Sequence, residues 1–283
     1  TFNKSALTLD LSFKPKILLC SDVDETYIPY KEKDIIQSDL KKLETYIHKN
    51  YKKYSIVFCW VTGSSISKFK KKLRFINVKP HFIASSMGSE IHEVRSNGLK
   101  KVHSWNSKIN KKKFKINAHK VIKKIKQKYF IKKETYANLR ISFYVYNLNL
   151  NKELKNFKKK LLLLCNKNKL NFNLSKSCSS AGDPVNTYDL DILPYGCGKK
   201  EAMIFLKKKF SINNNKTITF GDSFNDFEIM KSSYYRFIVG NASKDVKESK
   251  NLQKKIILKN KYSKGILEGL KIIENKINNK IKK

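Results

Sequence analysis

The chain has 283 residues, of which 40% are hydrophobic and 12% aromatic, enough apolar material to bury a sizeable core and too much for a disordered segment. Sixty-one Lys and Arg face 23 Asp and Glu for a net charge of +38, but the excess is nearly all lysine and runs the whole length. That pattern marks solvated positions, whereas a dedicated nucleic-acid reader more often shows arginine and stacking aromatics in a cluster. No apolar run reaches the roughly 20 residues of a membrane span.

Five cysteines, without a Cys-x-x-Cys pair, fit neither a disulfide framework nor a zinc site and point to a reducing compartment. Residues 1–13 lack the long apolar centre of a secretory leader, so the expected location is cytoplasmic. Non-specific adhesion to polyanions at low salt is expected from the charge.

The first predicted strand is the apolar run Ile17 to Cys20, and its end carries Asp22 and Asp24, followed by Thr26. Carboxylates just beyond a strand end sit where open α/β sheets bind ligands, and burial obliges them to be paired, protonated or metal-bound. Helical spacing follows over residues 33–49 through Ile35, Ile36, Leu40, Leu43 and Ile47. A second strand, Val57 to Val61, ends on Thr62, Gly63 and Ser64, and a helix is predicted from Ser64 to Leu73. A third strand, His81 to Ser85, leads through a turn at Met87-Gly88. Strands alternating with helices predict a parallel, doubly wound sheet.

From about Ser96 the pattern changes. An amphipathic helix presents Val121, Ile122, Ile125 and Tyr129; Arg140 to Tyr146 alternates as a half-buried strand; Leu154 to Cys165 is a second helix and Leu170 to Leu174 a strand. After Leu193-Pro194 come a helix opening at Lys199, a strand ending in Gly221-Asp222 with Asn225 and Asp226 behind it, a late strand at Phe237 to Val239, and a closing helix from Tyr262 to Ile273 before a frayed end. The expected fold is α/β, a Rossmann-like core over residues 1–97 and 195–283 with an inserted α+β cap over 98–194.

Asp222 and Asp226 are hard oxygen ligands suited to Mg2+. Lys199 and Thr62 stand where helix dipole, amides and a hydroxyl favour an anion. A solvated acidic turn is the alternative for each piece alone. Four pieces in this order, each after a strand or opening a helix, read as a phosphate site.

These stretches resemble the haloacid dehalogenase superfamily of phosphatases. Asp22 and Asp24 match its first motif, Thr62 its second, Lys199 its third, and Gly221-Asp222 through Asp226 its fourth. The insert resembles the cap of the subclass that includes the sucrose-phosphatases. Glu25 and Ser64 depart from that group and are compatible with its amino-sugar relatives, as are Trp60 to Ile66, Pro80 to Ser85 and Ala181 to Pro184.

The resemblance implies that Asp22 attacks phosphorus and that Asp24 is acid and then base. It implies Mg2+ held by Asp22, the carbonyl of Asp24 and Asp222, supported by Asp226. Thr62, the Gly63 amide, Lys199 and Asn225 would hold phosphoryl oxygens, with Ser64 either beside them or capping a helix.

Asp183 reads either as part of a solvated Gly-Asp-Pro turn or, with Asp189 and Asp191 beyond it, as an acid near the site, where Asp183 or Glu25 would suit the ammonium of an amino-hexose 6-phosphate such as kanosamine 6-phosphate. Trp105 and Phe143 to Tyr146 offer stacking surfaces or core; His81 and His92 read as structural. The expected molecule is a monomer or homodimer acting on a small sugar phosphate. A phosphosugar mutase on the same fold and a polyanion-binding protein on a retired scaffold are the competing readings.

Overall fold

The computed structural model describes residues 2–107, 109–137, 139–148, 151–177 and 182–281. Its first half runs β1 (Leu7–Thr8), β2 (Ile17–Ser21), α1 (Gln37–Asn50), β3 (Ile56–Val61), α2 (Ile66–Phe69), β4 (Val78–Lys79), β5 (Phe82–Ser85), β6 (Glu90–Arg95), β7 (Gly98–Lys101) and α3 (His103–Asn106). Then follow α4 (Lys111–Lys126), β8 (Ile131–Ala137), β9 (Arg140–Val145), α5 (Asn151–Lys167), β10 (Leu170–Lys176) and β11 (Tyr188–Pro194). The chain closes with α6 (Lys199–Phe210), β12 (Thr217–Gly221), α7 (Phe227–Lys231), β13 (Tyr235–Ile238), α8 (Lys244–Glu248), β14 (Ile256–Ile257) and α9 (Tyr262–Ile281).

An eight-stranded sheet has the order β14-β13-β12-β2-β3-β5-β6-β7, parallel from β14 to β5 and antiparallel through β6 and β7. Period-two alternation sends successive side chains to opposite faces. Leu19, Phe58 and Trp60 pack with Leu40, Leu43 and Ile47 of α1 and Ile266 and Leu270 of α9. Leu18, Cys20, Val57 and Cys59 pack with Ala202, Met203 and Leu206 of α6 and with α7. Buried on both faces, β2 and β3 read as continuous apolar runs, as central parallel strands do.

Chain order reverses between β2 and β12: β3 and β5 lie to one side of β2, β12, β13 and β14 to the other. Ligands bind at such a switch point, outside the carboxyl ends of the strands. Ser21 is paired with Phe220 on one side and Trp60 on the other, which sets the loops after β2, β3 and β12 side by side.

A second, antiparallel sheet has the order β10-β11-β9-β8. One face is apolar: Ile141, Phe143, Val145, Leu190 and Ile192 pack with Phe114, Val121, Ile122 and Ile125 of α4 and Phe157 and Leu161 of α5.

The structure departs from expectation at several places. Residues 98–101, placed at the start of the insert, pair with β6 in the large sheet. The stretch after Met87-Gly88 forms an antiparallel meander rather than a further strand–helix unit. The helix expected from Ser64 begins at Ile66 and gives way to 3-10 geometry over Lys70–Phe75; Lys68 and the three lysines at 70–72 repel one another along a short helix. The closing helix passes Ile273 and reaches Ile281, where fraying was expected. Strand β8 carries no apolar alternation that would have announced it.

Candidate active site

Residues from the three adjacent loops and from the start of α6 converge on one point. Asp22 follows β2 directly, its amide donating to the Phe220 carbonyl at 3.0 Å, so the neighbouring strand fixes its backbone. Gly221 ends β12; a Cβ there would lie 2.6 Å from Asp226 Oδ2, so only glycine lets the Asp226 carboxylate fold back over the strand end. Asp226 Oδ2 then accepts from the Asp222 and Ser223 amides, each at 3.2 Å.

Lys199 is the first residue of α6, as its place after Gly198 predicted. Gly88, at φ +75°, has no room for a Cβ against the Gly198 carbonyl, and this close approach seats the start of α6 against the loop after β5. The Lys199 ammonium donates to Asp22 Oδ1 at 3.1 Å, Asp226 Oδ1 at 2.8 Å and Asn225 Oδ1 at 2.8 Å. Lys199, Asp22 and Asp226 are all buried.

Carboxylate oxygens of Asp22, Asp222 and Asp226 lie within 4.8 Å of one another. Burial, with Asp226 and Asp24 adding to it against the pull of Lys199, pushes the Asp22 carboxyl up to about 7. Burial and then the charges of Asp226 and Asp22 raise Asp222 as well. For Lys199 the two neighbouring carboxylates outweigh its burial and raise it. Three carboxylates and one ammonium leave two negative charges in a desolvated space, and an all-oxygen donor set of that charge fits a hard divalent cation.

Asp24 stands apart from that cluster by its carboxylate. Lys72 donates to its Oδ1 at 2.6 Å and Ser64 Oγ to its Oδ2 at 2.8 Å. The hydroxyl of Ser64 is thus spent on Asp24, and the residue preceding α2 is Ser65, without a side-chain cap. Thr62 is buried at the end of β3; its Oγ1 accepts from the Ser64 amide at 3.0 Å and closes the turn around Gly63. Thr26 reaches the opposite loop, donating to Asp222 Oδ1 at 2.6 Å.

Glu25, at φ 62°, lines the cleft but uses its carboxylate locally: it accepts from the Tyr30 amide at 2.6 Å and the Tyr262 hydroxyl at 3.3 Å. These bonds tie the first loop to the start of α9.

The cleft above these groups has a volume of about 460 Å³, in the range of small-molecule sites. Its far wall is the polar face of the second sheet, with Arg140, Asn173, Ser175, Asp189 and Asp191, and Asp183 at its rim. The Tyr144 hydroxyl donates to Asp183 Oδ1 at 3.0 Å. Ser180 and Ala181, read with Asp183 as one acidic turn, lie outside the described residues, as does Cys178.

Trp105 packs on Phe205 of α6 with ring centroids 5.1 Å apart, and Phe143 is interior to the second sheet's core, so neither is a stacking surface. Cys197 is buried, which pushes its thiol up to about 12 and disqualifies it as a nucleophile at neutral pH. Among the described residues no helix is long and apolar enough to cross a membrane.

Two groups escaped the sequence reading. Lys72 is one of three consecutive lysines and carries no local mark. The buried Arg140–Asp191 pair, at 3.3 Å, was legible in part: Arg140 is one of only four arginines in the chain, set in an alternating strand.

A doubly wound core with Asp22, Lys199, Asp222 and Asp226 at its switch point, under a wall formed by an inserted sheet, defines a hydrolase of phosphoric monoesters of the haloacid dehalogenase type. The chain belongs to the sucrose-6F-phosphate phosphohydrolase family, whose profile matches residues 15–273.

It is 32% identical over 274 residues to a kanosamine-6-phosphate phosphatase of Bacillus subtilis (strain 168), covering 93% of this chain and 95% of that one. A solved haloacid dehalogenase-like hydrolase from Bacillus subtilis superposes with a TM-score of 0.65 at 29% identity, over 94% of this chain and 95% of the other. The sucrose-phosphatase of Synechocystis sp. PCC6803, solved with sucrose and phosphate, shares the fold with a TM-score of 0.69 at 18% identity, over 92% and 98%.

Proposed function

We propose that the chain hydrolyses a small sugar phosphate, an amino-hexose 6-phosphate such as kanosamine 6-phosphate, with Mg2+ and through an aspartyl-phosphate on Asp22. The observation that carries this reading is the buried contact of Lys199 with both Asp22 and Asp226, beside a third carboxylate, at the sheet's switch point. Such a cluster has no packing role that apolar residues would not serve better.

In the first step an oxygen of Asp22 bonds to phosphorus while the bond from phosphorus to the sugar oxygen breaks, and that oxygen takes a proton from Asp24. In the second, water attacks the aspartyl-phosphate, Asp24 takes the water proton, and phosphate leaves with the Asp22 carboxylate restored. Thr62, the Gly63 amide, Lys199 and Asn225 bind the phosphoryl oxygens on which transition-state charge is spread. Ser64 and Lys72 hold Asp24 between the two steps. Asp22, the Asp24 carbonyl and Asp222, backed by Asp226, would hold Mg2+, which supplies charge neutralisation between carboxylate and phosphate dianion. Asp183, at the rim, is a candidate contact for the sugar. The whole chain, the core with residues 98–101 in its sheet and the inserted cap that follows them, is read as one catalytic unit.

The test is phosphate release from glucosamine 6-phosphate, 3-amino-3-deoxyglucose 6-phosphate, glucose 6-phosphate and sucrose 6-phosphate, with and without Mg2+, for the parent and Asp22→Asn. Mg2+-dependent release that disappears in the variant is expected. Release that persists in Asp22→Asn, or a folded parent inert on every ester, overturns the proposal; interconversion of a hexose phosphate without release identifies a mutase.

A further inference from the structure

The charge of the cleft is opposite to that of the chain. Over the whole sequence basic residues outnumber acidic ones 61 to 23. Among the described residues lining the cleft, eight are acidic and three basic. The motif residues account for Asp22, Asp24 and Asp222; the wall formed by the second sheet adds three of its own, Asp183, Asp189 and Asp191. Arg140 meets the charge of Asp191; a site needing only to hold phosphate and a neutral sugar has no electrostatic use for further acids on that wall, because they repel the phosphate it must accept.

The three acids are not equivalent. Asp191 is buried on β11 and locked inside the wall: Arg140 donates to its Oδ1 at 3.3 Å and Ser142 Oγ to the same atom at 2.5 Å. Asp183 follows Gly182, which has φ +94°, in the loop between β10 and β11. Asp189 is on the strand itself, paired with Tyr144 of β9 and Ser175 of β10, half-buried and facing the cleft.

The Asp189 carboxylate is oriented by a short relay. Ser177 Oγ donates to Asp189 Oδ1 at 2.6 Å, and the buried Thr187 Oγ1 lies 2.9 Å from Ser177 Oγ. Beside it, Arg140 is 6% exposed and lines the same cleft, and its Nε has no hydrogen-bond partner. A buried donor left in that state is one that a ligand oxygen completes. The wall therefore presents an acceptor of fixed charge next to an unsatisfied donor, on a rigid strand pair.

We infer that Asp189 is the specificity-determining residue of the cleft, accepting the ammonium of the leaving sugar while Arg140 Nε donates to one of that sugar's oxygens. This rests on the reading above of the cleft as a phosphatase site, and it moves the amine contact from the rim, at Asp183, to the strand. A charge-assisted contact there is stronger than the neutral one a hydroxyl makes, which favours the amine over its hydroxyl analogue.

The experiment compares kcat/KM for an amino-hexose 6-phosphate and for the matching hexose 6-phosphate in the parent, Asp189→Asn and Asp183→Asn, with p-nitrophenyl phosphate to monitor the chemical groups. Calorimetric binding of the two sugar phosphates to Asp22→Asn protein, with and without Asp189→Asn, reads affinity apart from turnover. Asp189→Asn is expected to lower the amine-to-hydroxyl ratio roughly ten- to a hundredfold, both in kcat/KM and in affinity. A ratio that falls in Asp183→Asn but not in Asp189→Asn overturns the inference and leaves the phosphatase standing. So does a parent that turns over esters with no amine preference. A folded parent inert on all esters, p-nitrophenyl phosphate included, overturns both.

Discussion

The hydroxyl of Thr26 donates to Asp222 Oδ1 at 2.6 Å, joining the first acidic loop to the last across 196 residues of chain. The bond fixes one oxygen of a carboxylate that has two like-charged neighbours within 4.8 Å. Thr26→Val keeps the shape and removes the donor. Groups that orient metal-binding side chains are worth about 10- to 100-fold in metal affinity. The Mg2+ concentration for half-maximal phosphate release is expected to rise by that factor in Thr26→Val, with little change in kcat at saturation. An unchanged Mg2+ dependence would remove this role from Thr26.

Lys72 holds Asp24 from the far side, at 2.6 Å, with its ammonium 4.7 Å above the Tyr30 ring. If Asp24 is the acid and base proposed above, Lys72→Met is expected to lower kcat on the order of 10²-fold while KM moves little, because that carboxylate loses one of its two anchors. Lys72→Arg, which can still reach Asp24, should recover part of the loss. If kcat in Lys72→Met matches the parent, Ser64 alone positions Asp24.

Lys199→Met leaves the buried Asp22 and Asp226, with the half-buried Asp222 beside them, without their ammonium. Breaking a buried pair in this way costs about 3–5 kcal/mol. Urea denaturation should find that loss in Mg2+-free buffer and a smaller one at millimolar Mg2+, since a divalent cation replaces the missing positive charge. Equal losses in the two buffers would mean that the three carboxylates do not share a cation.

Gly221→Ala tests the close approach at the end of β12. The added methyl would lie 2.6 Å from the Asp226 carboxylate, a group held by two amides and Lys199. Both stability and turnover should fall, turnover by more than tenfold, because Asp226 cannot move without releasing the amide of Asp222. Full activity in the alanine variant would show that the loop has slack.

His81 supplies a pH dependence unrelated to the cleft. It is buried, its Nδ1 accepts from the Phe58 amide at 3.0 Å, and its Nε2 lies 3.2 Å from the Asp10 carbonyl, which assigns the proton to Nε2. Burial lowers the imidazole from 6.5 to about 4. Between those values the unfolded chain binds a proton that the folded chain refuses, so this contribution to stability is full above pH 6.5 and is lost as pH falls towards 4. Glu44, raised to about 7 chiefly by burial, acts in the opposite sense, so the measurement is a difference. Relative to His81→Asn, the parent should lose stability as pH falls from 6.5 to 4, whatever the variant's stability at pH 7.

The parts of the site that could be read in the sequence are those set immediately after an apolar run. Asp22, Thr62 and Asp222 follow β2, β3 and β12, and Lys199 opens a helix behind Gly198, so local pattern alone places each at a loop or helix start. What joins them is long-range and unmarked. Lys72 differs from Lys70 and Lys71 only in the direction its side chain takes out of a 3-10 turn. Glu25 was read as a ligand group because it stands beside Asp24, yet a backbone at φ 62° turns its carboxylate towards Tyr30 and Tyr262. The meander through β6 and β7 was missed because two glutamates, two lysines and an arginine in it mask the alternation that edge strands otherwise show.

The position of β2 also bears on how the molecule is made. It is a central strand, yet its partner β12 lies near the other end of the chain, and at a synthesis rate of 5–20 residues per second the interval between them lasts roughly 10–40 s. During that time β2, β3 and β5 can pair, but one side of β2, with Leu18, Leu19 and Cys20, is an open edge on the ribosome. Nascent chains stalled before residue 217 would carry Asp22 without its lysine-bound partner loop, and they would be the forms that a chaperone meets.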